Sequence, residues 1–361
     1  MREAGGLSAF YLHLHPRSVR RRSLSLGPTL GLGLATVLAM VLAAVSGVML
    51  MFHYTPQVDH AHASVQDIIA VVPFGCLLRN LHRWSAHAAV ALCLLHLLRT
   101  FYWGSYRDSH RRVWLVGVGL LLLTLATSFT GYLLPWDQDA YWTVTVGTSV
   151  VGTVPLLGDG LKQLLLGGDS PGAATLVRFY ALHVMVLPGC GVLLLVIHLF
   201  RLRRAGGLRR SAAGAGAELV PVHPHLIERQ LVLALLVCLV LVLLSLWVHA
   251  PLGAAPDLVR PDNPPKAPWF LVGVQELASL SALWGGVVAP AALFGLLALV
   301  PWIDGGRRGR QRAVRVLVSG LLAAIVVLSL IGWFFRGPDW RLEFHPGPGR
   351  AAASALTEAR R

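Results

Sequence analysis

Among the histidines in the long apolar stretches of this chain, four are matched in spacing: His82 and His96 in one, His183 and His198 in another. An ionisable side chain is expensive in the interior of a bilayer, so a histidine there marks a function by default. The spacing makes the signal specific. His82 and His96 are 14 residues apart, about 21 Å along a helix and close to four turns, so both imidazoles face one way. His183 and His198 are 15 apart, about 22 Å and again close to one face. Two imidazoles on facing helices suit bis-His ligation of a haem iron, and the cores of helix bundles hold such cofactors. Two matched pairs, His82 with His183 and His96 with His198, imply two non-covalent haem b groups stacked across the membrane. Zinc is disfavoured, because neither pair is clustered with a third protein ligand.

Glycines repeat the histidine step. Gly33 and Gly47 are 14 residues apart, and so are Gly117 and Gly131. Glycine removes the side chain where a flat macrocycle must approach a backbone closely. Membrane helices also use glycine simply to pack; the shared step of 14 favours the haem reading. Haem propionates are anions, and Arg79 and Arg83 flank His82 while Arg99 lies beside His96. The same arginines suit interfacial anchoring as well.

These residues need membrane helices to hold them, and the composition supplies them. Of 361 residues, 55% are hydrophobic and only 13% are charged. A soluble domain carries about 25% charged residues, so the bilayer must cover this chain. A soluble enzyme, a disordered regulator and a secreted disulfide scaffold are excluded. The net charge of +14 reads as membrane topology rather than nucleic-acid binding, because the arginines cluster between apolar segments. The cysteines Cys76, Cys93, Cys190 and Cys238 form no Cys-x-x-Cys pair, so neither a zinc site nor a disulfide framework is indicated.

Seven apolar segments are long enough to span a core of about 30 Å: Leu30–Phe52, Leu77–Phe101, Val113–Leu134, Tyr180–Leu202, Gln230–His249, Gly285–Trp302 and Ala313–Phe335. The fold class is therefore an all-α membrane protein. Residues 1–22 form a polar arm ending in Arg17, Arg20, Arg21 and Arg22, without the apolar stretch and cleavage site of a secretory signal. Arginines also crowd the second-to-third, fourth-to-fifth and sixth-to-seventh loops, which places those loops and the N-terminus in the cytoplasm. His82 and His183 then lie near the outer face and His96 and His198 near the inner one. The third-to-fourth loop, about 45 residues long, exceeds a simple connection. Its apolar stretches Tyr141–Leu157 and Leu161–Leu166 are expected as short surface helices. The Gly-, Ala- and Arg-rich linker Arg203–Pro221 separates a four-helix, two-haem module at 23–210 from a three-helix module at 211–336. A tail at 337–361 ends on the outer side.

Three runs resemble the cytochrome b and b6 family of quinol-oxidising complexes: Leu81–Ala86, Thr130–Gln138 and Arg178–His183. The 15-residue step of the fourth span resembles the b6 type. The second module, with Pro261-Asp262-Asn263-Pro264, resembles subunit IV fused into the same chain. The resemblance covers about residues 17–335 and is more specific in the first module. It implies quinol oxidation near the outer face, between the end of the third span, the surface helices and the fifth-to-sixth loop. One electron would leave to a Rieske-type iron–sulfur protein or a cytochrome c subunit. The other would cross both haems to a quinone at the cytoplasmic side. A homodimer is implied too.

Two departures stand out. The b6 type binds an extra haem through a cysteine near the first span, where this chain reads Ser23–Gly27; no covalent extra haem is expected. The family's Pro-Glu-Trp-Tyr motif is also missing. The matching stretch reads Lys266–Phe270, with the Glu placed on Ala267. Quinol oxidation releases protons and needs an acceptor. Glu276 and Asp262 are the candidates, with Tyr132 a further catalytic candidate in the third-span motif. A competing function is a haem-b membrane anchor of another quinone-linked dehydrogenase or reductase, with one working quinone site. A proton-relaying transporter would call for inverted repeats and broken midplane helices, which the sequence does not show. Iron–sulfur, c-type haem and dinucleotide motifs are all missing, so partners must supply the rest of the reaction.

Overall fold

The computed structural model describes residues 18–20, 31–205, 219–260, 266–306, 308–337 and 340–343. Most of the N-terminal arm, the Ser23–Gly27 stretch, residues 206–218 of the linker, Asp262 with its neighbours and residues 344–361 lie outside them. Among the described residues, seven helical stretches are long and apolar enough to cross a membrane: Leu32–Met51, Gly75–Trp103, Asp108–Tyr132, Ala173–Arg204, His225–Trp247, Trp284–Ile303 and Arg308–Phe335. Each corresponds to one of the seven segments expected from hydropathy, and the protein is an all-α, multi-pass membrane protein.

Several hydroxyls within the spans are satisfied by their own helices. Thr36, Ser46, Thr124 and Ser245 donate their hydroxyls to the carbonyls four residues earlier, at 2.8, 2.6, 2.8 and 2.6 Å. This removes the desolvation penalty of an unpaired hydroxyl in hydrocarbon. The second span stops at Gly104, whose φ of 73° is open to glycine and strained for other residues.

The chain divides into two compact units. The first joins Met1–Gly131, Tyr180–Pro251 and Ala298–Arg310. In it the first, second and fifth spans meet through buried Ala39, Ala89 and Leu241; the small side chains let the backbones approach. A three-residue ribbon pairs Ser18–Arg20 with Leu219–Pro221 antiparallel. The second unit joins Tyr132–Phe179, Leu252–Leu297 and Gln311–Arg361. These units are defined by compactness, whereas the division at the Arg203–Pro221 linker is one of chain order.

The stretch between the third and fourth spans holds two short helices, α1 (Gln138–Gly152) and α2 (Gly158–Leu166), where apolar runs led us to expect them. Asp137 caps α1, accepting the Ala140 amide at 3.0 Å and that of Gly253 at 2.9 Å. Gln138 accepts the Asp257 amide at 2.6 Å and donates to the Arg260 carbonyl at 2.7 Å. The last two residues of the Thr130–Gln138 motif thus stitch α1 to the segment after the fifth span. Among the described residues, two helices escape the hydropathy reading because each is too short for a span and is interrupted by polar residues: Val58–Ala70, and α3 (Val272–Leu280).

In the first unit, a polar clasp ties the loop after the second span to the end of the sixth. Asp304 is buried, at 1% exposure, and accepts the Tyr106 hydroxyl at 2.6 Å and Arg107 Nε at 2.7 Å. Burial alone would raise the Asp304 carboxyl, but these donors outweigh it and hold it below the usual carboxylate range. Burial, with the bond to Asp304, pushes the Tyr106 hydroxyl up to about 12, so it stays a donor. Because the folded Asp304 is the stronger acid, its contribution is present above the unfolded value of about 3.9 and lost as pH falls below it. Asp304→Asn removes the charge from this clasp. We expect a loss of about 1–3 kcal/mol near neutral pH, read as a lower detergent-solubilised Tm, with the gap to wild type closing below pH ~4. An unchanged Tm at pH 7 would contradict this account.

Candidate functional site

In the first unit each of the four spaced histidines is backed by one glycine of a neighbouring span. A Cβ added at Gly47 would lie 2.9 Å from His82 Cε1, and one at Gly33 would lie 3.1 Å from His96 Cε1. On the other pair of spans, a Cβ at Gly117 would lie 3.3 Å from His198 Cε1, and one at Gly131 would collide with His183 Cε1. The step of 14 in the glycines thus meets the histidine step ring by ring. At these positions glycine makes room for an imidazole.

His82 and His183 share a second pattern. His82 Nδ1 lies 2.8 Å from the Ala43 carbonyl, and His183 Nδ1 lies 2.9 Å from the Thr127 carbonyl. Ala43 and Thr127 each precede the backing glycine by four residues. A carbonyl can only accept, so Nδ1 carries the proton and Nε2 keeps its lone pair. Ser46 and Thr130, each one residue before the glycine, bring a hydroxyl to 3.4 Å from the same nitrogens. A ligating histidine is commonly oriented in this way through its other nitrogen.

The rings also fit an iron between them. The centroids of His82 and His183 are 6.0 Å apart, with planes at 83°. Two metal–nitrogen bonds of about 2 Å plus the two ring radii add to roughly 6 Å. His96 Nδ1 and His198 Nδ1 are buried without a hydrogen-bond partner. The carbonyl four residues before Gly117 is that of Val113. Residue 29, the matching position for His96, lies outside the described residues. Among those residues no group of three or more His, Cys, Asp or Glu could hold a metal ion. Paired imidazoles with free Nε2 atoms suit haem iron, which needs only two axial ligands from the protein.

The unequal steps of 14 and 15 have a structural cause. Leu182–Val186 is a π-helical turn, with the Leu187 amide bonded to the Leu182 carbonyl, and it contains His183. A π-turn absorbs one residue. The 15-residue step on the fourth span therefore turns through about the same angle as the 14-residue step on the second, about 40° short of four full turns at 3.6 residues per turn.

Other candidates have defined surroundings. Arg79 donates to the Ala250 and Pro251 carbonyls, both at 2.6 Å, so it closes the end of the fifth span. Arg83 is half-buried next to His82, and Arg99 stacks 4.4 Å over the Trp103 ring. The second span carries a further histidine, His87, which packs 5.5 Å from Trp84. It lies five residues after His82 and so points away from the ligand face. The hydroxyls of Ser46 and Thr130 are the partners that sequence reasoning missed; a Ser/Thr–Gly pair at the matched step was their signal.

In the second unit, a groove of about 460 Å³ runs between α1 and α3, lined by Trp142, Thr145, Ser149, Gln275, Ala278 and Trp340, among others. Glu276 sits on α3 and is buried. Its carboxylate accepts Arg336 Nε, 3.1 Å from each oxygen, Arg336 Nη2, and Trp340 Nε1 at 2.9 Å. The bond to Glu276 raises Arg336 above its already high value. Tyr132 ends the third span, and Asp262 lies outside the described residues. The stretch before α3 is tied down where the Ala267 amide donates to Gln275 at 2.8 Å. Aligned on Trp269, the acidic position of the family motif falls on Pro268 and not on Ala267; neither can take a proton.

Comparison with known proteins matches residues 21–206 to the family described as Cytochrome b/b6/petB. Cytochrome b of Rickettsia prowazekii (strain Madrid E) is 32% identical over 313 residues, covering 83% of this chain and 78% of that protein. Cytochrome b of Cereibacter sphaeroides is 33% identical over 336 residues, covering 83% and 75%. A solved structure titled "Hyperthermophilic respiratory Complex III" has a similar fold, with a TM-score of 0.78 at 23% identity over 98% of this chain and 93% of that one.

Two predictions follow from the ring-by-ring geometry. If each histidine pair holds a haem, Gly131→Val should displace the His183 imidazole and remove most of the haem expected at His82 and His183, whereas Gly117→Ala, with 3.3 Å of room, should retain the haem expected at His96 and His198. Haem content per chain in the two purified variants checks this; equal occupancy would sink the role given to the glycines. Deleting Met185 should remove the π-turn and leave a 14-residue step on both spans, with both haems retained. Loss of haem on that deletion would show that the π-turn does more than absorb a residue.

Proposed function

The chain belongs to the cytochrome b family, and on that premise we propose that it is the di-haem b membrane subunit of a quinol-oxidising, bc-type respiratory complex. The observation that carries this reading is the fourfold repeat of imidazole on glycine, with Nδ1 held at the outer pair. His82 and His183 would hold one haem and His96 and His198 the other. When bound there, the haems supply two one-electron carriers at two depths of the membrane.

The protein's own part is to hold the imidazoles and to bind substrate. His82 and His183 keep Nε2 unprotonated because Ala43 and Thr127 accept the Nδ1 protons. Quinol would be oxidised near the outer face in the groove between α1 and α3. Its apolar walls with a few polar groups match what a small-molecule site requires. One electron would leave to a Rieske-type iron–sulfur protein or cytochrome c subunit, and the other would reach a quinone on the cytoplasmic side. Arg336 and Trp340 occupy the Glu276 carboxylate, which favours a holding role for Glu276 over the acceptor role. Asp262 remains the acceptor candidate, and Tyr132 a further catalytic candidate. The arginine-rich loops support a cytoplasmic N-terminus, an outer C-terminus and residence in the cytoplasmic membrane. The division at 23–210 and 211–336, a homodimer and the lack of a covalent extra haem complete the proposal.

The missing Pro-Glu-Trp-Tyr motif favours a second reading, a haem-b anchor of another quinone-linked enzyme with one working quinone site. Rapid mixing of the assembled complex with quinol separates the two. The bc-type reading predicts that an oxidised high-potential acceptor is reduced one electron at a time while the haems are reduced in step with it. In His82→Ala that coupled haem reduction should fall by more than about tenfold, since the entry carrier is gone. Acceptor reduction at the wild-type rate without any transient haem reduction would support the anchor instead.

A further inference from the structure

The C-terminal segment after the seventh span is locked onto α3 by a cluster that the electron path does not use. Glu276, at 4% exposure, lies between Arg336 and Trp340. Arg336 also reaches past the carboxylate, and its Nη1 donates to the Trp340 carbonyl at 2.7 Å. Trp340 is thus held twice, through its backbone by Arg336 and through its indole N–H by Glu276. Its backbone lies at φ 57°, a left-handed conformation that a bulky side chain rarely adopts. Strained residues of this kind gather at ligand clamps, where their surroundings over-determine them. With its N–H committed to Glu276, the indole has only its apolar ring left to offer a ligand, and Trp340 lines the groove opposite Trp142 and Thr145. A buried ion pair adds little net stability, so a pair placed here is better explained by the geometry it imposes.

We propose that Trp340 is a specificity-determining residue of this groove, its indole forming a flat wall against the ring of the quinol, and that Glu276 and Arg336 are positioning residues that set its orientation. The assignment rests on the reading of the groove as the quinol site and adds the determinant of ring size to it. An aromatic wall contributes more against a larger π-surface. Loss of the wall should therefore weaken a two-ring naphthoquinol more than a one-ring benzoquinol.

The test compares steady-state oxidation of a naphthoquinol and a benzoquinol by the assembled complex in wild type, Trp340→Ala, Trp340→Phe and Glu276→Gln. Haem content and optical spectra are recorded for each. Trp340→Ala should raise KM for the naphthoquinol about tenfold and for the benzoquinol about threefold. Its kcat should stay within about twofold of wild type, with both haem bands unchanged. Trp340→Phe, which keeps an aromatic face, should recover most of the naphthoquinol KM. Glu276→Gln should give an intermediate KM with no shift in the pH profile of kcat; a shifted profile would mean that Glu276 takes the substrate proton and would overturn its positioning role. Unchanged KM values for both quinols in a haem-replete Trp340→Ala would overturn the assignment and leave the quinol reading standing. A wild-type complex that oxidises neither quinol would bring down both. If Trp340→Ala fails to assemble, Trp340→Phe and Glu276→Gln decide: both ring sizes affected equally would contradict the wall.

Discussion

The site in the first unit depends on one constraint: an imidazole packed between spans needs room for its ring, and glycine supplies it at all four histidines. At His82 and His183, a helix carbonyl four residues before the glycine also accepts the Nδ1 proton. Both needs are met by one stretch of backbone. Any other residue at Gly131 or Gly47 would put a Cβ into the ring, and the carbonyl would lose its partner. The first and third spans are therefore parts of the proposed haem site, although they contribute no ligand to it.

The same economy appears in the second unit. Asp137 and Gln138, which by sequence belong to a motif shared with quinol-oxidising proteins, act here as a cap and a stitch that fix α1. Gln275 accepts a backbone amide from the stretch before α3, and Glu276, its neighbour, anchors the C-terminal segment. The walls of the groove are set by these polar contacts, and its lining stays largely apolar. A conformation held in that way presents shape rather than charge, which suits a hydrophobic, ring-bearing substrate.

Much of this was legible in the sequence. The seven spans, the two short helices of the third-to-fourth connection and the paired histidine and glycine steps follow from hydropathy and periodicity, which a membrane enforces strongly. Three features were not legible. The π-turn at His183 answers a one-residue difference in spacing, and spacing alone does not say how the helix absorbs it. The bond from His82 to the Ala43 carbonyl uses backbone, which carries no sequence signature. The Glu276–Arg336 pair joins residues 60 positions apart, and only the packing of the last span beside α3 brings them together. Glu276 itself stood out, because an acid in an apolar stretch calls for a partner, but the partner was out of reach.

The central claim is that two imidazole pairs each hold a haem. The measurement that tests it most directly is a redox-titrated optical spectrum of the purified protein together with pyridine-haem quantitation. This account predicts two b-type haems per chain, both low-spin, titrating as two separate components. One haem or none in folded protein would contradict the transmembrane relay, and loss of the same component whichever of the four histidines is changed would contradict the pairing.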